Sequence, residues 1–379
     1  MPDNILSALQ PTLFAAARVV PRELTGFLAI AGRDFSDQGV NKGGSVKVSN
    51  IPAITATATD APAQTFTEGT ARTIGTNDFQ LNQTAQAKWK WSAEDERLLL
   101  LGGTAADTQI QTFQQGFRAI TNQMEQYVGV IAKNNASRAV GVAGSAPFGT
   151  NTNLLVDAQI ALKINGSTAK RAAVLSLMAS ANLQKLTQQQ KVNEAGSSAL
   201  LREGQIGRLH SFDLLESGAM ISHSKGTGTS YTSTAAGFPI GTTSIPLITG
   251  SGTVVTGDCV TFAGDTNSYK VKTGIAAPGT LMLQEPGLLQ ALPASAVALA
   301  IGGNYASNIC LDENALKLVC RPALQPAGGI AEQMIISDVQ TKLSVLVLRV
   351  VGDGQSSWYM RTVYDAFCPN PYGIIDLVG

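Results

Sequence analysis

A stripe of apolar residues in the first half of the chain predicts one long helix, which the rest of the fold must accommodate. The apolar residues recur at alternating steps of three and four: Ile110, Phe113, Phe117, Ile120, Met124, Tyr127 and Ile131. This spacing puts all of them on one face of an α-helix. The predicted helix runs from Ala105 to about Ala136, which is about 30 residues or roughly 45 Å. We expect a sheet to pack along its apolar face, and a coiled coil is the alternative.

Residues 36–91 predict a long β-hairpin. Val46 and Val48 alternate with polar residues. A second series has the period of a strand and is apolar at both ends: Phe79, Leu81, Gln83, Ala85, Ala87, Trp89 and Trp91. Between these arms lies a stretch rich in Thr, Ala, Pro and Gly. An isolated hairpin of this length, up to about 60 Å, is only marginally stable in water. We therefore expect it to lie across a neighbouring molecule; the alternative is a loop folded back on its own subunit.

The second half of the chain changes character twice. Residues 153–222 mix helical spacing with buried-strand runs, which predicts a compact α/β unit. Residues 223–305 are dominated by Gly, Thr and Ser, and turn signals separate their short strand candidates, which predicts a small β-barrel or sandwich. Strand–helix patterning resumes afterwards, with a strand at Ile309–Leu311 and a helix at Glu313–Val319. We therefore interpret 223–305 as a domain inserted into the α/β unit, with ends that lie close together.

The two ends of the chain differ in pattern. Residues 1–35 contain short apolar clusters broken by Pro11 and Pro21, with a short helix predicted at Leu13–Val20. This segment has no core of its own, so it either lies as an arm on another molecule or docks on its own domain. Residues 331–379 instead predict four strands, at Gln333–Ile336, Leu343–Val351, Trp358–Val363 and Ile374–Val378.

Composition and charge limit the classes of function. Only 14% of the residues are charged, and 27 basic residues balance 27 acidic ones, whereas about 25% is usual. Near-zero net charge weakens self-repulsion and so permits association. Domains that grip nucleic-acid phosphates are usually strongly basic, so this function is not indicated. Hydrophobic residues make up 44% of the chain, which is enough to build a core.

The sequence contains no recognisable catalytic, cofactor or metal motif. A GxGxxG after a strand, a GxxxxGK[ST] and a GxSxG are all absent. The two histidines, His210 and His223, and four cysteines without a CxxC pair predict neither a metal site nor a disulfide framework. The acidic residues 94–96 follow Ser92, and we interpret them as capping charges of a helix. We therefore expect no enzyme activity, no cofactor and no metal.

Neither export nor membrane insertion is predicted. The N-terminus lacks the basic start and long apolar core of a signal peptide. No apolar run approaches the roughly 18 residues that a membrane span needs. We expect a protein that is made in the cytoplasm and has no membrane partner.

The order of the predicted parts, from loose arm and long hairpin through long helix and α/β unit to closing strands, resembles one family. The stretch Gly204–Phe212, continuing to His223, is similar to a stretch typical of coat proteins, as are the helix-bearing Leu311–Pro326 and the closing Asp338–Tyr364. On these residues the chain resembles the major capsid protein of tailed bacteriophages, with the α+β Hong Kong 97-type fold. The position of 223–305 resembles the podovirus-like subgroup, in which a small β-barrel is inserted into the axial domain.

The resemblance implies a division of the chain into named parts. These are an N-terminal arm at 1–35, an E-loop at 36–91, a peripheral domain with a long spine helix at 92–150, a first axial segment at 151–222, the inserted β-barrel at 223–305, a second axial segment at 306–335 and closing strands at 336–379. In the founding member of the family, a lysine of the E-loop forms a cross-link to a neighbouring subunit. Here residues 51–77 contain no lysine, so the resemblance does not imply a covalent shell.

The resemblance also implies partners and a location. Subunits of this kind form pentamers and hexamers that close into the icosahedral head of the virion, which encloses double-stranded DNA without sequence-specific binding. A separate scaffolding protein is implied because no long leader precedes the arm, and a portal is implied as well. The charged residues of the E-loop tip, Asp60, Glu68 and Arg72, are the candidate subunit-interface residues.

Three other functions stay open at this point. An encapsulin-like nanocompartment shell has the same fold, and a polymeric tail or surface protein also self-associates. An enzyme with a β accessory domain is the third, and the missing catalytic motifs weigh against it. Closed shells, tubes and monomers are distinguished by electron microscopy.

Overall fold

In a computed structural model of the chain, one long helix lies against two large sheets. The structure describes residues 25–35, 42–50, 75–95, 97, 105–167, 169–187, 207–219, 221–324, 331–337, 343–352 and 354–379. The helix predicted at Leu13–Val20 lies outside these ranges. The mixture of helices and strands confirms the predicted α+β class.

The long helix is present where the apolar stripe predicted it. It is α2, Ala105–Asn134, with 30 residues, and it follows the short helix α1 at Gly26–Ile30. Buried members of the stripe include Phe113, Ile120 and Met124, which join a core shared with both sheets. None of the helices in the described ranges combines the length and the apolar character that crossing a bilayer requires.

The sheet that packs along α2 is called here the spine sheet. Its strands are β1 (Gly32–Phe35), β4 (Gln83–Ser92), β16 (Lys317–Pro322), β17 (Ala331–Ser337), β18 (Ser344–Gly352) and β19 (Gln355–Phe367). Their order is β1-β16-β19-β18-β17, and β4 pairs with the opposite edge of β19. The ring of Phe113 on α2 lies edge-on to Trp89 and Trp358, with centroids 5.2 Å apart in each pair. The predicted sheet along the helix is therefore confirmed.

The second sheet, called here the axial sheet, has helices on both faces. Its strands are β5 (Arg138–Gly141), β6 (Arg171–Ser176), β7 (Arg208–Leu209), β8 (Phe212–Ser217), β9 (Ser222–His223), β15 (Tyr305–Asp312) and β20 (Ile374–Val378), in the order β5-β20-β15-β6-β8-β7 with β9 beside β15. Because neighbouring side chains on a strand point to opposite faces, Ile309 and Leu311 join the α2 core. Cys310 faces the helices α3 (Asn153–Ile164) and α4 (Leu177–Lys185).

Residues 223–305 contribute five more strands. They are β10 (Ser244–Pro246), β11 (Cys259–Phe262), β12 (Tyr269–Thr273), β13 (Thr280–Leu283) and β14 (Leu299–Ile301). They pair antiparallel in the order β10-β13-β12-β11-β14. Their apolar side chains form a cluster of their own, drawn from residues 231–301. One residue pair, Tyr269 with Arg138, joins β12 to β5 of the axial sheet.

The base of the predicted hairpin is present, but its second arm is shorter than the pattern predicted. Strands β2 (Ser45–Asn50) and β3 (Gly75–Gln80) pair antiparallel along their whole length. The chain leaves this ladder at Leu81, which is buried against the spine sheet. The residues that follow form β4, which pairs with β19. The prediction of one continuous hairpin arm that reaches Trp91 is therefore wrong. The alternating pattern continues from β3 into β4, so it does not reveal that the partner strand changes from β2 to β19.

The helix predicted at Glu313–Val319 is also wrong. The segment turns and enters strand β16. Leu318 and Cys320 face the α2 core, while Val319 packs on the opposite side of the sheet. The segment is too short for its few apolar positions to distinguish the period of a helix from that of a strand. The four predicted closing strands are confirmed, with their central residues in β17, β18, β19 and β20.

Candidate functional sites: hairpin base, arm anchor and buried junction

The predicted interface residues Asp60, Glu68 and Arg72 lie outside the described residues, in the tip between β2 and β3. The structure describes the base that carries this tip. No group of three or more His, Cys, Asp or Glu side chains is placed to hold a metal ion within the described ranges. The sites described below position parts of the chain.

Aromatic and aliphatic packing holds the hairpin base on the spine sheet. The ring of Phe79, on β3, stacks on Phe367 at the end of β19, with centroids 3.9 Å apart and planes 3° from parallel. Leu81 packs with Val319 and Val363, and Val46 of β2 borders this small cluster. Both arms of the hairpin are therefore anchored before the tip begins.

A carboxylate links the end of the hairpin to the long helix. Asp365, on β19, accepts the backbone N–H of Asn82 at 3.1 Å and the hydroxyl of Tyr127 at 2.8 Å. Tyr127 belongs to α2, and burial, followed by the hydrogen bond to Asp365, raises the pKa of its hydroxyl. The base of the hairpin is thus tied to the long helix as well as to the spine sheet.

A second buried carboxylate anchors the segment that leads out of the N-terminal arm. Glu125, on α2, accepts the backbone N–H groups of Phe27 and Leu28, each at 2.8 Å, and the hydroxyl of Ser217 at 2.7 Å. Backbone N–H groups at the start of a helix have no partner within the helix, so Glu125 supplies the acceptors that α1 lacks. One side chain therefore joins α1, α2 and β8.

Close packing reinforces this anchor. A Cβ on Gly129 of α2 would lie 2.9 Å from the ring of Phe27, and a Cβ on Gly26 would lie 2.6 Å from Val174. Both distances are too short for a side chain, so glycine lets the arm segment approach. Strand β1 then pairs parallel with β16. Of the two alternatives for the arm, docking on its own subunit is confirmed for residues 25–35.

The third site is a buried cluster of charged side chains, called here the junction, where the 223–305 segment meets α2 and the axial sheet. Lys270 of β12 lies 2.6 Å from Asp376 of β20, and both side chains are fully buried. The Lys270 ammonium also donates to the carbonyl of Gly257 at 3.2 Å and to the hydroxyl of Tyr305. Asp376 accepts the hydroxyl of Ser307 at 2.6 Å. Each charge in this pair is thus hydrogen-bonded, as burial requires.

A second buried aspartate in the junction contacts a histidine. His223 Nε2 lies 2.7 Å from Asp258 Oδ1, and Nδ1 lies 3.3 Å from the ammonium of Lys133, near the end of α2. Asp258 also accepts backbone N–H groups from Gly226 and Val255. Burial, followed by the positive charge of Lys270, lowers the pKa of Lys133. The junction therefore ties β9, the loop before β11 and β12 to the helix and to β20.

The cysteines do not form a reactive site. Cys259, Cys310 and Cys320 are buried, and all four cysteines are unpaired. Burial raises the pKa of the Cys259 thiol to about 11. Since the thiolate is the nucleophile, these thiols are inert at neutral pH. A disulfide framework was not expected, and the described thiols fit that expectation.

Stability is expected to fall steeply at alkaline pH. Burial raises the pKa of several groups whose ordinary values are 9.0 or 10.0: Cys259 to about 11, and Tyr269, Tyr364 and Cys368 to about 12. Above about pH 9 the unfolded chain loses these protons while the folded chain keeps them. The stabilisation is therefore complete below about pH 9 and is lost as pH rises through the folded values. Burial lowers the pKa of Lys133 and of Arg138, which act in the opposite direction but are fewer than the groups whose pKa is raised.

Urea unfolding at about pH 8 and about pH 10.5 tests this expectation. The free energy of unfolding should decrease by about 1.4 kcal/mol per pH unit for each group involved. Cys310→Ala removes one buried thiol whose pKa is raised. In this variant the free energy of unfolding should therefore depend less steeply on pH, by up to the equivalent of one proton. A free energy of unfolding that does not change over this range contradicts the expectation.

Sequence reasoning did not identify the anchor or the junction. Glu125 and Lys133 follow directly after the buried residues Met124 and Ala132 on α2. A charged residue next to the apolar stripe was the only signal in the sequence that these two side chains are buried. Their partners lie far away in sequence: 98 residues separate Phe27 from Glu125, and 90 separate Lys133 from His223. No spacing rule connects such pairs.

The chain was compared with known proteins by sequence and by structure. No protein family model matches the sequence, and no curated protein is significantly similar to it. By structure, a chain of the capsid structure of the Cyanophage P-SCSP1u is similar, with a TM-score of 0.51 and 11% identity. The similarity covers 94% of this chain and 88% of that one. A chain of Mycobacterium phage Che8 has a TM-score of 0.50 and 13% identity, over 94% of this chain and 91% of that one.

At these identities the likeness concerns the fold. It extends over 94% of this chain in both comparisons. The chain therefore has the α+β fold of a phage capsid protein, which agrees with the Hong Kong 97-type fold that the sequence resembles.

Proposed function

We propose that this chain is the major capsid protein of a tailed bacteriophage, and that it assembles into the icosahedral head shell that encloses double-stranded DNA. The observation that carries the proposal is the fold, which a capsid chain of Cyanophage P-SCSP1u shares over 94% of this chain. In this role the protein is structural and catalyses no reaction. Its location is the virion, after synthesis in the host cytoplasm.

The described sites support this proposal because they fix the segments that lead to the proposed interface. The hairpin base is held on the spine sheet by Phe79, Leu81 and Asp365. The balanced charge of the chain, with 27 basic and 27 acidic residues, limits repulsion between copies. We propose that the tip residues Asp60, Glu68 and Arg72 contact a neighbouring subunit in pentamers and hexamers.

We propose the same division into parts that the resemblance implies, with 1–35 as arm, 36–91 as E-loop and 92–150 as peripheral domain. Segments 151–222 and 306–335 are the axial domain, and the closing strands follow from 336. Although β16 lies in the second axial segment by this division, it pairs within the spine sheet. A separate scaffolding protein and a portal complete the proposed assembly.

We further propose that 223–305 is an inserted β-barrel. Two backbone bridges support closure of its sheet: Ser233 pairs with Leu247, next to β10, and Thr232 pairs with Ala298, next to β14. These bridges connect the two outer strands of the order β10-β13-β12-β11-β14. The flanks of the segment lie together, since His223 pairs with Tyr305. A tolerated insertion requires adjacent ends of this kind.

Residues 223–305 are expected to fold when they are produced alone. Their apolar cluster is self-contained, but a domain of this size gains only a few kcal/mol from one core, roughly 3–5. A two-dimensional amide spectrum should therefore show dispersed β-type shifts and unfolding at low urea. A random-coil spectrum would mean that the axial sheet is needed to order these strands, which contradicts an autonomous barrel.

Sedimentation velocity of the purified full chain tests the proposed function. We expect a discrete species far larger than the 39.5 kDa monomer. Particles from the native host should contain nuclease-resistant double-stranded DNA, whereas protein cargo would instead indicate a nanocompartment. Sedimentation as a 39.5 kDa monomer at every concentration, with the scaffolding protein also supplied, contradicts a shell protein of either kind.

A further inference from the structure

We propose that helix α3 carries a self-complementary surface, which binds the same surface of a second copy of this chain around a two-fold axis. This surface, called here the α3 face, consists of Arg138, Asp157, Ile160 and Ile164. The inference rests on the proposed function, because the face of one helix of 12 residues is too small to hold two free subunits together, whereas stable interfaces bury about 1,200–2,000 Å². The contact therefore acts together with others in an assembled particle.

Two isoleucines form the apolar centre of the α3 face. Ile160 and Ile164 are four residues apart, so they are neighbours on the helix surface. Their exposed fractions are 48% and 68%, whereas Leu155 and Leu162 on the opposite side of the helix are fully buried. A groove of about 480 Å³ lies beside the isoleucines, and its far wall is formed by residues 266–268 and Leu289. The surface thus offers a second copy both an apolar patch and a space for its side chains.

The two charged side chains of the α3 face form no ion pair with any residue that the structure describes. Arg138, on β5, is partly buried and lines the groove, and Asp157 is exposed on α3. The Nη2 of Arg138 donates to Asn165 Oδ1 at 2.9 Å and to the carbonyl of Ala161 at 3.4 Å, while its Nε is buried without an acceptor among the described residues. A buried charge without a counter-charge is costly, so a carboxylate of a second copy would stabilise this arginine.

The order of these groups along α3 suits a two-fold axis. The bonds to Ala161 and Asn165 place the guanidinium of Arg138 beside the C-terminal end of the helix. Asp157 lies four and eight residues earlier, which is roughly 6–12 Å along the helix axis. If two α3 helices pack antiparallel about an axis beside Ile160, each Asp157 lies next to the Arg138 of the other copy. A two-fold interface joins a surface to itself, and an acid at one end with a base at the other makes that surface complementary in charge.

Disulfide cross-linking of the full chain tests the predicted symmetry. Ile160→Cys places a thiol beside the two-fold axis. The native thiols do not compete, since three are buried and burial raises the pKa of the fourth, Cys368, to about 12. Under a mild thiol oxidant the variant should give a dimer of twice the 39.5 kDa monomer on a non-reducing gel. Ile240→Cys, at a position that is 67% exposed and outside the α3 face, is the matched control.

The contact should enrich the dimer strongly over random collision. Thiols that meet in a contact have an effective concentration far above that of the free protein, so Ile160→Cys should give at least about tenfold more dimer than Ile240→Cys. Equal amounts of dimer from the two variants would overturn the inference.

Charge reversal tests the predicted pairing. Asp157→Arg sets two arginines against each other at both ends of the contact, so the yield of the Ile160→Cys dimer should fall by about tenfold. Adding Arg138→Glu restores opposite charges in exchanged positions and should recover the dimer. The thermal unfolding midpoint checks that each variant is folded. If Arg138→Glu does not fold, Asp157→Asn is measured instead: it removes one charge without adding repulsion, so its yield should lie between those of Asp157 and Asp157→Arg. A yield that ignores the charge at position 157 contradicts the pairing.

The outcomes distinguish this inference from the proposed function. Particles that form, with the scaffolding protein supplied, but show no cross-link in Ile160→Cys would overturn the α3 contact and leave the capsid function standing. A cross-link without particles supports the contact and contradicts the shell, and the absence of both contradicts both. If the introduced thiol resists a thiol reagent and yet does not cross-link, another segment or protein covers the α3 face, and the second copy is the wrong occupant.

Discussion

Replacing residues 51–74 with the dipeptide Asn-Gly is expected to abolish shell assembly and to leave the subunit folded. Asn50 and Gly75 form the last residue pair of the β2–β3 ladder, so two residues suffice to join them. Asn-Gly suits the tight turn of a two-residue hairpin. The variant therefore keeps the hairpin base, with its Phe79 stack and the buried Leu81, and removes only the tip.

The physical reason lies in the composition of the tip. Residues 51–74 contain one aromatic residue, Phe66, and are mostly Thr, Ala and other small residues. Ordering them costs about 1–2 kcal/mol per residue, and little apolar surface is available to offset that cost within one subunit. We infer that contacts with a neighbouring subunit offset the entropy cost of ordering the tip. Removing the tip therefore removes the contact between subunits and leaves the fold of each subunit intact.

Two measurements separate assembly from folding in this variant. The thermal unfolding midpoint of the dissociated subunit should stay within a few degrees of the wild type, about 2–4 °C. Electron micrographs should show no closed particles. If the variant forms shells as the wild type does, the tip does not carry the subunit contact and the proposed roles of Asp60, Glu68 and Arg72 are wrong.

The second large effect is expected at the arm anchor. Glu125→Ala leaves three buried donors without an acceptor: the N–H groups of Phe27 and Leu28 and the hydroxyl of Ser217. An unsatisfied buried donor costs about 1–3 kcal/mol, so we expect a loss of about 3 kcal/mol or more in the free energy of unfolding. Glu94, which is exposed, gives a matched control: Glu94→Ala should change it by less than about 0.5 kcal/mol.

Hydrogen exchange locates the damage in this variant. The amides of Phe27 and Leu28 should exchange much faster in Glu125→Ala, because α1 loses its acceptors, while the centre of β19 keeps its protection. Glu125→Gln keeps one acceptor oxygen and should lie between the wild type and the alanine variant. A stable Glu125→Ala protein with unchanged exchange at Phe27 would show that packing around Gly129 alone holds the arm.

The sequence correctly predicted the helices and strands in which a periodic pattern of apolar residues is repeated several times. The long helix carries seven apolar residues at one period, and β2 and β3 alternate next to a turn-rich stretch, so neither depends on distant partners. The strand predicted to Trp91 and the helix predicted at Glu313–Val319 failed for one reason. The partner strand, β19 in both cases, lies elsewhere in the chain and leaves no mark on the local period.

The charged sites were beyond sequence reasoning for a related reason. Lys270 and Asp376 lie on strands of different parts of the fold, and each reads as a solvent-exposed charge when its strand is considered alone. Burial of both groups is a property of the docking of 223–305 on the axial sheet. Only the three-dimensional arrangement shows that this docking surface is polar and that Lys270 and Asp376 form a buried ion pair in it.

Cryo-electron microscopy of particles formed by the purified protein tests the central claim most directly. The proposed function predicts closed icosahedral shells built from pentamers and hexamers, with the spine helix and both sheets in each subunit and the tip at 51–74 on a neighbouring subunit. Open tubes, or a monodisperse monomer at micromolar concentration with the scaffolding protein supplied, would contradict it.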